Sequence, residues 1–127
     1  MDESRLGYIK PEDVFELVTE NKAKKKFLII DVRGNDLGDK VIKSAISIPS
    51  YNFRDTADSL ASMYSSYDLV IVHCMMSHSR GPSCAYMLNF AFQNPKYKDS
   101  KTEIKVLSGG FEKFYDMYFD KDVFDTV

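Results

Sequence analysis

The sequence predicts one α/β domain with a mostly parallel central sheet and helices on both of its faces. Three short apolar runs have the composition of strands buried on both sides: Phe27–Val32, Leu69–Val72 and Ile104–Leu107. Helical patterns alternate with these runs, as in strand–helix–strand units that build a parallel sheet. No repeat or linker interrupts the chain, so we assign residues 1–127 to a single domain.

Prolines and apolar spacing mark the elements of the N-terminal half. Pro11 suits the first turn of a helix, and the lysine-rich run over residues 22–26 is interpreted as the solvated end of that helix. A short strand is predicted over residues 45–49, where its proline ends it. Helix-compatible spacing then extends over residues 53–65.

The C-terminal half contains two further predicted helices. The first begins at Pro82, continues through Phe92 and is broken near Pro95. The second carries an aromatic stripe that we interpret as core packing, formed by Phe111, Phe114, Tyr115 and Tyr118. Residues 116–127 are expected to form a closing helix or a short tail over the site.

Composition narrows the classes of function. Apolar residues make up 44% and charged residues 28%, as in a soluble globular protein, and no run approaches the roughly 18 apolar residues of a membrane span. The segment Met1–Arg5 has no signal-peptide character, which predicts a cytoplasmic location, with the nucleus as the other compartment. A net charge of −2 argues against nucleic-acid binding. The two cysteines and two histidines lack ligand spacing, so we expect free thiols and no metal.

The segment His73–Pro82 carries the residues to which we assign the chemistry. Cys74 follows a buried strand, at the sheet edge where ligands bind in open α/β folds. The N–H groups of a loop that enters a helix can form an anion nest, and together with Arg80 they favour thiolate over thiol. Arg80 can grip two oxygens of a tetrahedral oxyanion with its planar guanidinium. The predicted oxyanion loop also includes Met75, Met76, Ser77, His78 and Ser79.

Each neighbouring residue also has a plainer interpretation. Cys74 could be an inert buried cysteine, but the strand before it and the Gly-Pro helix start after it favour a nucleophile. His73 is interpreted as a buried histidine that tunes the nucleophile, and His78 as a solvent-facing side chain. Cys84 fits the apolar pattern of the helix, so we expect it in the core. Asp31 could transfer protons near the pocket, although anchoring of loops by hydrogen bonds and ion pairs is favoured.

Four segments resemble the successive signatures of the rhodanese-like superfamily: Ile30–Arg33, Ile42–Ala45, Val72–Cys74 and Val106–Phe111. The resemblance extends from about residue 8 to residue 118. The loop from Cys74 to Arg80, followed by Gly-Pro, resembles that of the dual-specificity phosphatases that activate cyclin-dependent kinases, a group whose small relatives include eukaryotic arsenate reductases. The resemblance implies a parallel sheet, a thiophosphate intermediate on Cys74 and no metal.

Departures from the family pattern bear on mechanism. Many members have Gly-His where this chain has Lys40 and Val41, which concerns folding more than chemistry. Val32 stands where the cell-cycle phosphatases carry a cysteine that can form a protective disulfide with the nucleophile. No cysteine follows Cys84 to bind zinc as in the plant relatives. The loop contains no carboxylate that could protonate a leaving group, which predicts modest turnover of poor leaving groups.

These observations favour a cysteine-dependent phosphatase that acts on phosphotyrosine or phosphothreonine proteins and needs no cofactor. Arsenate reduction is the alternative, because arsenate has the shape and charge of phosphate; glutathione would be the co-substrate and glutaredoxin a partner. Sulfur transfer is less favoured, since it normally uses a loop one residue shorter. A non-catalytic binding module is disfavoured because both Cys74 and Arg80 are intact.

Overall fold

Five parallel strands form the central sheet of the computed structural model, which describes all residues from Met1 to Val127. In chain order they are β1 (Leu6–Ile9), β2 (Phe27–Asp31), β4 (Ile46–Ser47), β5 (Leu69–His73) and β6 (Glu103–Leu107), with β3 described below. Their order across the sheet is β1-β6-β5-β2-β4, and every neighbouring pair is parallel. The predicted α/β architecture is therefore confirmed, with β5 at the centre of the sheet.

Four α-helices cover this sheet: α1 (Pro11–Thr19), α2 (Ser50–Tyr64), α3 (Arg80–Ala91) and α4 (Gly110–Tyr118). A 3₁₀ turn, Pro95–Tyr97, follows α3. Helix α3 begins two residues before Pro82, where the sequence predicts its start. Proline fits there because the first N–H groups of a helix have no partner within the helix. None of the helices is long and apolar enough to cross a membrane.

Alternating strand residues build a separate core on each face of the sheet. The side chains of Ile30, Val70, Val72 and Val106 pack with those of α2 and α3. Their chain neighbours Ile29, Leu69, Ile71 and Leu107 pack on the other face with those of α1 and α4. This two-residue alternation places Cys74, two positions after Val72, on the face covered by α2 and α3.

Three strands are not anticipated by the sequence pattern. β1 pairs with β6 at the sheet edge, and β3 (Lys40–Ile42) pairs antiparallel with β7 (Phe124–Thr126) in a separate ribbon. The expectation of a closing helix or tail over residues 116–127 is corrected, because the helix ends at Tyr118 and the chain returns as β7. Strands of three or four residues are too short to show periodicity, so their pairing depends on distant segments.

Candidate active site

The loop between β5 and α3 surrounds the sulfur of Cys74. The Cys74 side chain is only 3% exposed and follows the last residue of β5 directly. Its Sγ atom accepts hydrogen bonds from the backbone N–H groups of Ser77 (3.2 Å) and Gly81 (3.3 Å). Two N–H dipoles therefore point at the sulfur and stabilise negative charge on it.

Ser77 gives the loop its sharp turn. It is buried and adopts a left-handed backbone conformation (φ 58°), which is uncommon for a residue other than glycine. Its Oγ atom accepts a hydrogen bond from the N–H of Cys74 at 3.4 Å, which links the two ends of the turn. Ser77 therefore shapes the loop through both its backbone conformation and its hydroxyl group.

The start of α4 fixes the outer side of the loop. The N–H of Phe111 donates to the carbonyl of Cys74 (3.0 Å), and the N–H of Glu112 donates to the carbonyl of Met75 (2.8 Å). In a trans peptide the C=O and the following N–H point in opposite directions, so the next two N–H groups point away from α4. Helix α4 thereby orients the loop amides for binding an anion.

Gly110 makes this approach possible. Its φ is +63°, and a Cβ atom there would lie 2.5 Å from the carbonyl oxygen of Met75 and 2.8 Å from that of Cys74. No side chain could occupy that position without moving the loop backbone. The Gly-Gly pair that the sequence places at the end of a strand therefore also serves the candidate site.

Arg80, the predicted anion clamp, is paired with a carboxylate that sequence reasoning missed. Its Nη1 and Nη2 donate to Oδ1 and Oδ2 of Asp36 at 2.8 and 2.6 Å. These hydrogen bonds lower the pKa of Asp36 to about 2. They also raise the pKa of Arg80, and nearby Cys74 raises it further by a smaller amount. The guanidinium fork of the predicted anion clamp is therefore engaged by a carboxylate in the free protein.

Asp36 reaches the site because of strand order. It lies five residues after the end of β2, in a turn closed by a hydrogen bond from the N–H of Leu37 to the carbonyl of Gly34 (3.1 Å). β2 is the immediate neighbour of β5 in the sheet, so the loops that follow both strands meet at one edge. The sequence feature that could have pointed to Asp36 is an aspartate shortly after the Asp31–Arg33 signature.

Asp31 and Arg33 form a buried pair that anchors the adjacent loop. Arg33 donates through Nε (3.0 Å) and Nη2 (2.7 Å) to the Asp31 carboxylate, and through Nη2 to the carbonyl of Lys40 (2.8 Å). Its guanidinium also lies 3.9 Å from the centre of the Phe111 ring. This geometry corresponds to the anchoring role that the sequence favours over proton transfer for Asp31.

The buried ring of His73 contacts the backbone of the loop at Cys74. It is fully buried, and its Nδ1 lies 3.2 Å from the carbonyl oxygen of Cys74, while Nε2 has no hydrogen-bond partner and is 3.9 Å from Oδ2 of Asp31. Burial lowers the pKa of His73. Because a carbonyl oxygen can only accept, Nδ1 donates a hydrogen bond to the carbonyl of Cys74.

The other predicted site residues differ in exposure. Met76, His78 and Ser79 are exposed on the outer part of the loop, and Met75 is partly buried. Cys84 is 1% exposed, and burial raises the pKa of its thiol to about 12. No three His, Cys, Asp or Glu side chains come together as a metal site would need, and metal-independent activity stays a prediction.

Comparison with known proteins finds two phosphatases and a reductase that resemble this chain. The chain is 29% identical over 103 residues to a dual specificity phosphatase, ibp1, of Schizosaccharomyces pombe, covering 81% of this chain and 72% of that protein. The Saccharomyces cerevisiae protein tyrosine phosphatase Ygr203w superposes with a TM-score of 0.81 at 25% identity, over 97% of this chain and 94% of the other. An arsenic–antimony reductase of Leishmania major superposes with a TM-score of 0.72 at 30% identity, over 91% and 80%.

The family model for the rhodanese-like domain matches residues 14–117, most of the chain. That range contains β2, β5, the loop around Cys74 and the start of α4, which are the parts that form the candidate site. The resemblance drawn from four short signatures is thereby confirmed. The chain belongs to the rhodanese-like domain family.

Proposed function

We propose that this protein is a cysteine-dependent phosphatase of the protein tyrosine or dual-specificity type. The observation that carries the proposal is the pair of N–H groups, from Ser77 and Gly81, that point at the buried Cys74 sulfur within a loop ended by Arg80. Such a loop provides a stabilised nucleophile and a cation for the developing phosphoryl charge. Two of the compared relatives, from fission and budding yeast, are phosphatases.

The reaction would run through two displacements at phosphorus. The Cys74 thiolate attacks in line with the ester oxygen, so a P–S bond forms while the P–O ester bond breaks and the leaving oxygen takes a proton from solvent. Arg80 exchanges Asp36 for two phosphoryl oxygens as the charge develops. Water then attacks the thiophosphate, which releases inorganic phosphate and restores the thiolate.

Hydrolysis of para-nitrophenyl phosphate by four proteins tests this function. Cys74→Ser is expected to abolish turnover, and Arg80→Lys to lower kcat about 100-fold or more, because lysine keeps the charge but not the fork. Cys84→Ser, a matched cysteine replacement in α3 outside the loop from Cys74 to Arg80, is expected to retain the wild-type rate. Retention of wild-type hydrolysis by Cys74→Ser would contradict the proposal.

Arsenate reduction is a second candidate, favoured by the 30% identity to the Leishmania major arsenic–antimony reductase. Cys74 would attack arsenic and displace water, giving a thiol–arsenate adduct. Glutathione would then supply the second thiol, so that two electrons pass to arsenic and arsenite leaves together with a mixed disulfide, which glutaredoxin reduces. The buried, protonated Cys84 thiol is a poor substitute for glutathione.

Glutathione- and glutaredoxin-coupled arsenate turnover, measured with the same four proteins, separates the two candidates. Reduction that depends on Cys74, together with negligible phosphoester hydrolysis, would replace the phosphatase assignment. Hydrolysis that dominates would sustain it and direct the search to phosphoproteins as partners.

A further inference from the structure

An open groove of about 510 Å³ lies between α2 and α3. Its α3 side carries Tyr86, Met87 and Phe90, and its α2 side carries Arg54 and Asp58. Tyr86 is 50% and Phe90 68% exposed, so two aromatic side chains on one helix present their rings to solvent. Exposed apolar surface of this kind, flanked by polar side chains, is typical of a binding site. We refer to it as the α2–α3 groove.

The α2–α3 groove leads to the Arg80 end of the loop. A second cavity of about 240 Å³ is lined by Arg80, Ser79 and Tyr51 at the end of the loop. Ser83 and Met87 line both the groove and this cavity. One depression therefore extends from the predicted anion clamp along α3 as far as Phe90.

We propose, on the basis of the proposed phosphatase function, that the α2–α3 groove binds an apolar segment of the phosphoprotein substrate. Tyr86 and Phe90 lie six and ten residues beyond Arg80 on α3, a distance of about 9 to 15 Å at ~1.5 Å per helical residue. An extended peptide covers this distance in about three to five residues. The preferred substrate thus carries a large apolar side chain about three to five positions from its phosphorylated residue.

The charges of the groove select this occupant over others. Arg54 and Asp58 contribute one charge of each sign and form no ion pair within 4.0 Å, so the groove attracts neither nucleic acid nor an acidic surface. Arsenate occupies only the loop and leaves the groove unused. A phosphorylated polypeptide is the ligand that places an anion at Arg80 and an apolar group at Phe90 together.

Two phosphotyrosine peptides test the proposal. One carries Leu and the other Ser at the third, fourth and fifth positions on both sides of the phosphotyrosine, and they are otherwise identical. The wild-type protein should hydrolyse the Leu peptide with about tenfold higher kcat/KM, from burial of the added apolar surface. Phe90→Ala should lose this preference and leave para-nitrophenyl phosphate hydrolysis unchanged. Phe119→Ala, which removes a ring of similar exposure (64%) outside the groove, should keep both.

The possible failures have different signatures. Cys74-dependent hydrolysis of para-nitrophenyl phosphate with equal kcat/KM on the two peptides would overturn the groove and leave the phosphatase assignment intact. Absence of that hydrolysis would overturn the phosphatase assignment and the groove proposal that rests on it. A dimer in sedimentation experiments that Phe90→Ala dissociates would assign the groove to a second copy of the chain and also overturn the proposal.

Discussion

Asp36 occupies the guanidinium fork that a substrate oxyanion needs, so removing its charge should strengthen oxyanion binding. Asp36→Asn keeps the size of the side chain and abolishes the ion pair with Arg80, whose two N–O distances are 2.6 and 2.8 Å. In this variant, Arg80 loses only a weaker interaction with residue 36 when it turns to bind phosphate. We expect a lower inhibition constant for inorganic phosphate in this variant.

The exposure of the pair sets the size of the effect. A pKa lowered from 3.8 to about 2 corresponds to roughly 2.5 kcal/mol without screening. The side chains of Arg80 and Asp36 are 36% and 38% exposed, so solvent reduces the interaction to about 1 kcal/mol. That free energy corresponds to about fivefold tighter phosphate binding.

Competitive inhibition of para-nitrophenyl phosphate hydrolysis by inorganic phosphate measures the difference. Asp39→Asn, which removes a nearby loop carboxylate that forms no ion pair, controls for the general loss of negative charge. Added salt should reduce the gain of Asp36→Asn. Equal inhibition constants in wild type and Asp36→Asn, or an equal gain in Asp39→Asn, would refute the reasoning.

The same pair predicts a stability difference that depends on pH. The pKa of Asp36 is lower in the folded protein than the unfolded value of 3.8, so the pair stabilises the fold above about pH 4 and its contribution is lost as the pH falls towards 2. Wild type should exceed Asp36→Asn by about 1 kcal/mol in free energy of unfolding at pH 7. Urea unfolding at pH 7 and near pH 2 checks this; a constant difference would contradict it.

Three further predictions concern the loop and its support. Gly110→Ala should destabilise the fold by about 1–3 kcal/mol and remove activity, because the new Cβ would lie 2.5 Å from the carbonyl oxygen of Met75. Urea unfolding and a phosphatase assay check the two effects. Near-wild-type values of both would contradict the role of α4. Burial lowers the pKa of His73, so the unfolded chain takes up a proton near pH 6.5 that the folded protein excludes. Wild type should therefore lose up to about 1.4 kcal/mol of stability per pH unit below 6.5. His73→Asn should show a shallower slope in the same urea-unfolding assay. Iodoacetamide at pH 8 should modify Cys74 alone, because the Cys84 thiol, with a pKa of about 12, stays protonated, whereas two N–H groups stabilise the thiolate of Cys74. Mass spectrometry should find one adduct in wild type and none in Cys74→Ser, and an adduct on Cys84 would contradict this reasoning.

Local patterns in the chain were sufficient to predict the fold and the centre of the candidate site. Strands buried on both faces, such as Leu69–His73, appear as short continuous apolar runs because every side chain of the strand lies in a core. The loop from Cys74 to Arg80 is contiguous, so its length and its position between a strand and a helix can be read directly. The same local logic placed Cys84 in the core of α3, where it is buried.

Contacts between distant segments could not be predicted in this way. The pairing of Asp36 with Arg80 joins residues 44 apart, and the contact of α4 with the Cys74 carbonyl joins residues 37 apart. Hydrogen bonds of this kind leave no periodicity in the sequence, because one exposed carboxylate or one N–H group can serve many partners.

The sequence by itself therefore determined the α/β class, the family and the loop that contains Cys74. The tertiary structure alone decided that Arg80 is engaged by Asp36, that Gly110 brings α4 against the loop, and that a groove extends from the loop along α3. The physical reason is that secondary structure and burial follow from local side-chain patterns. The partner of a charge and the shape of a surface depend on which elements the sheet order places side by side.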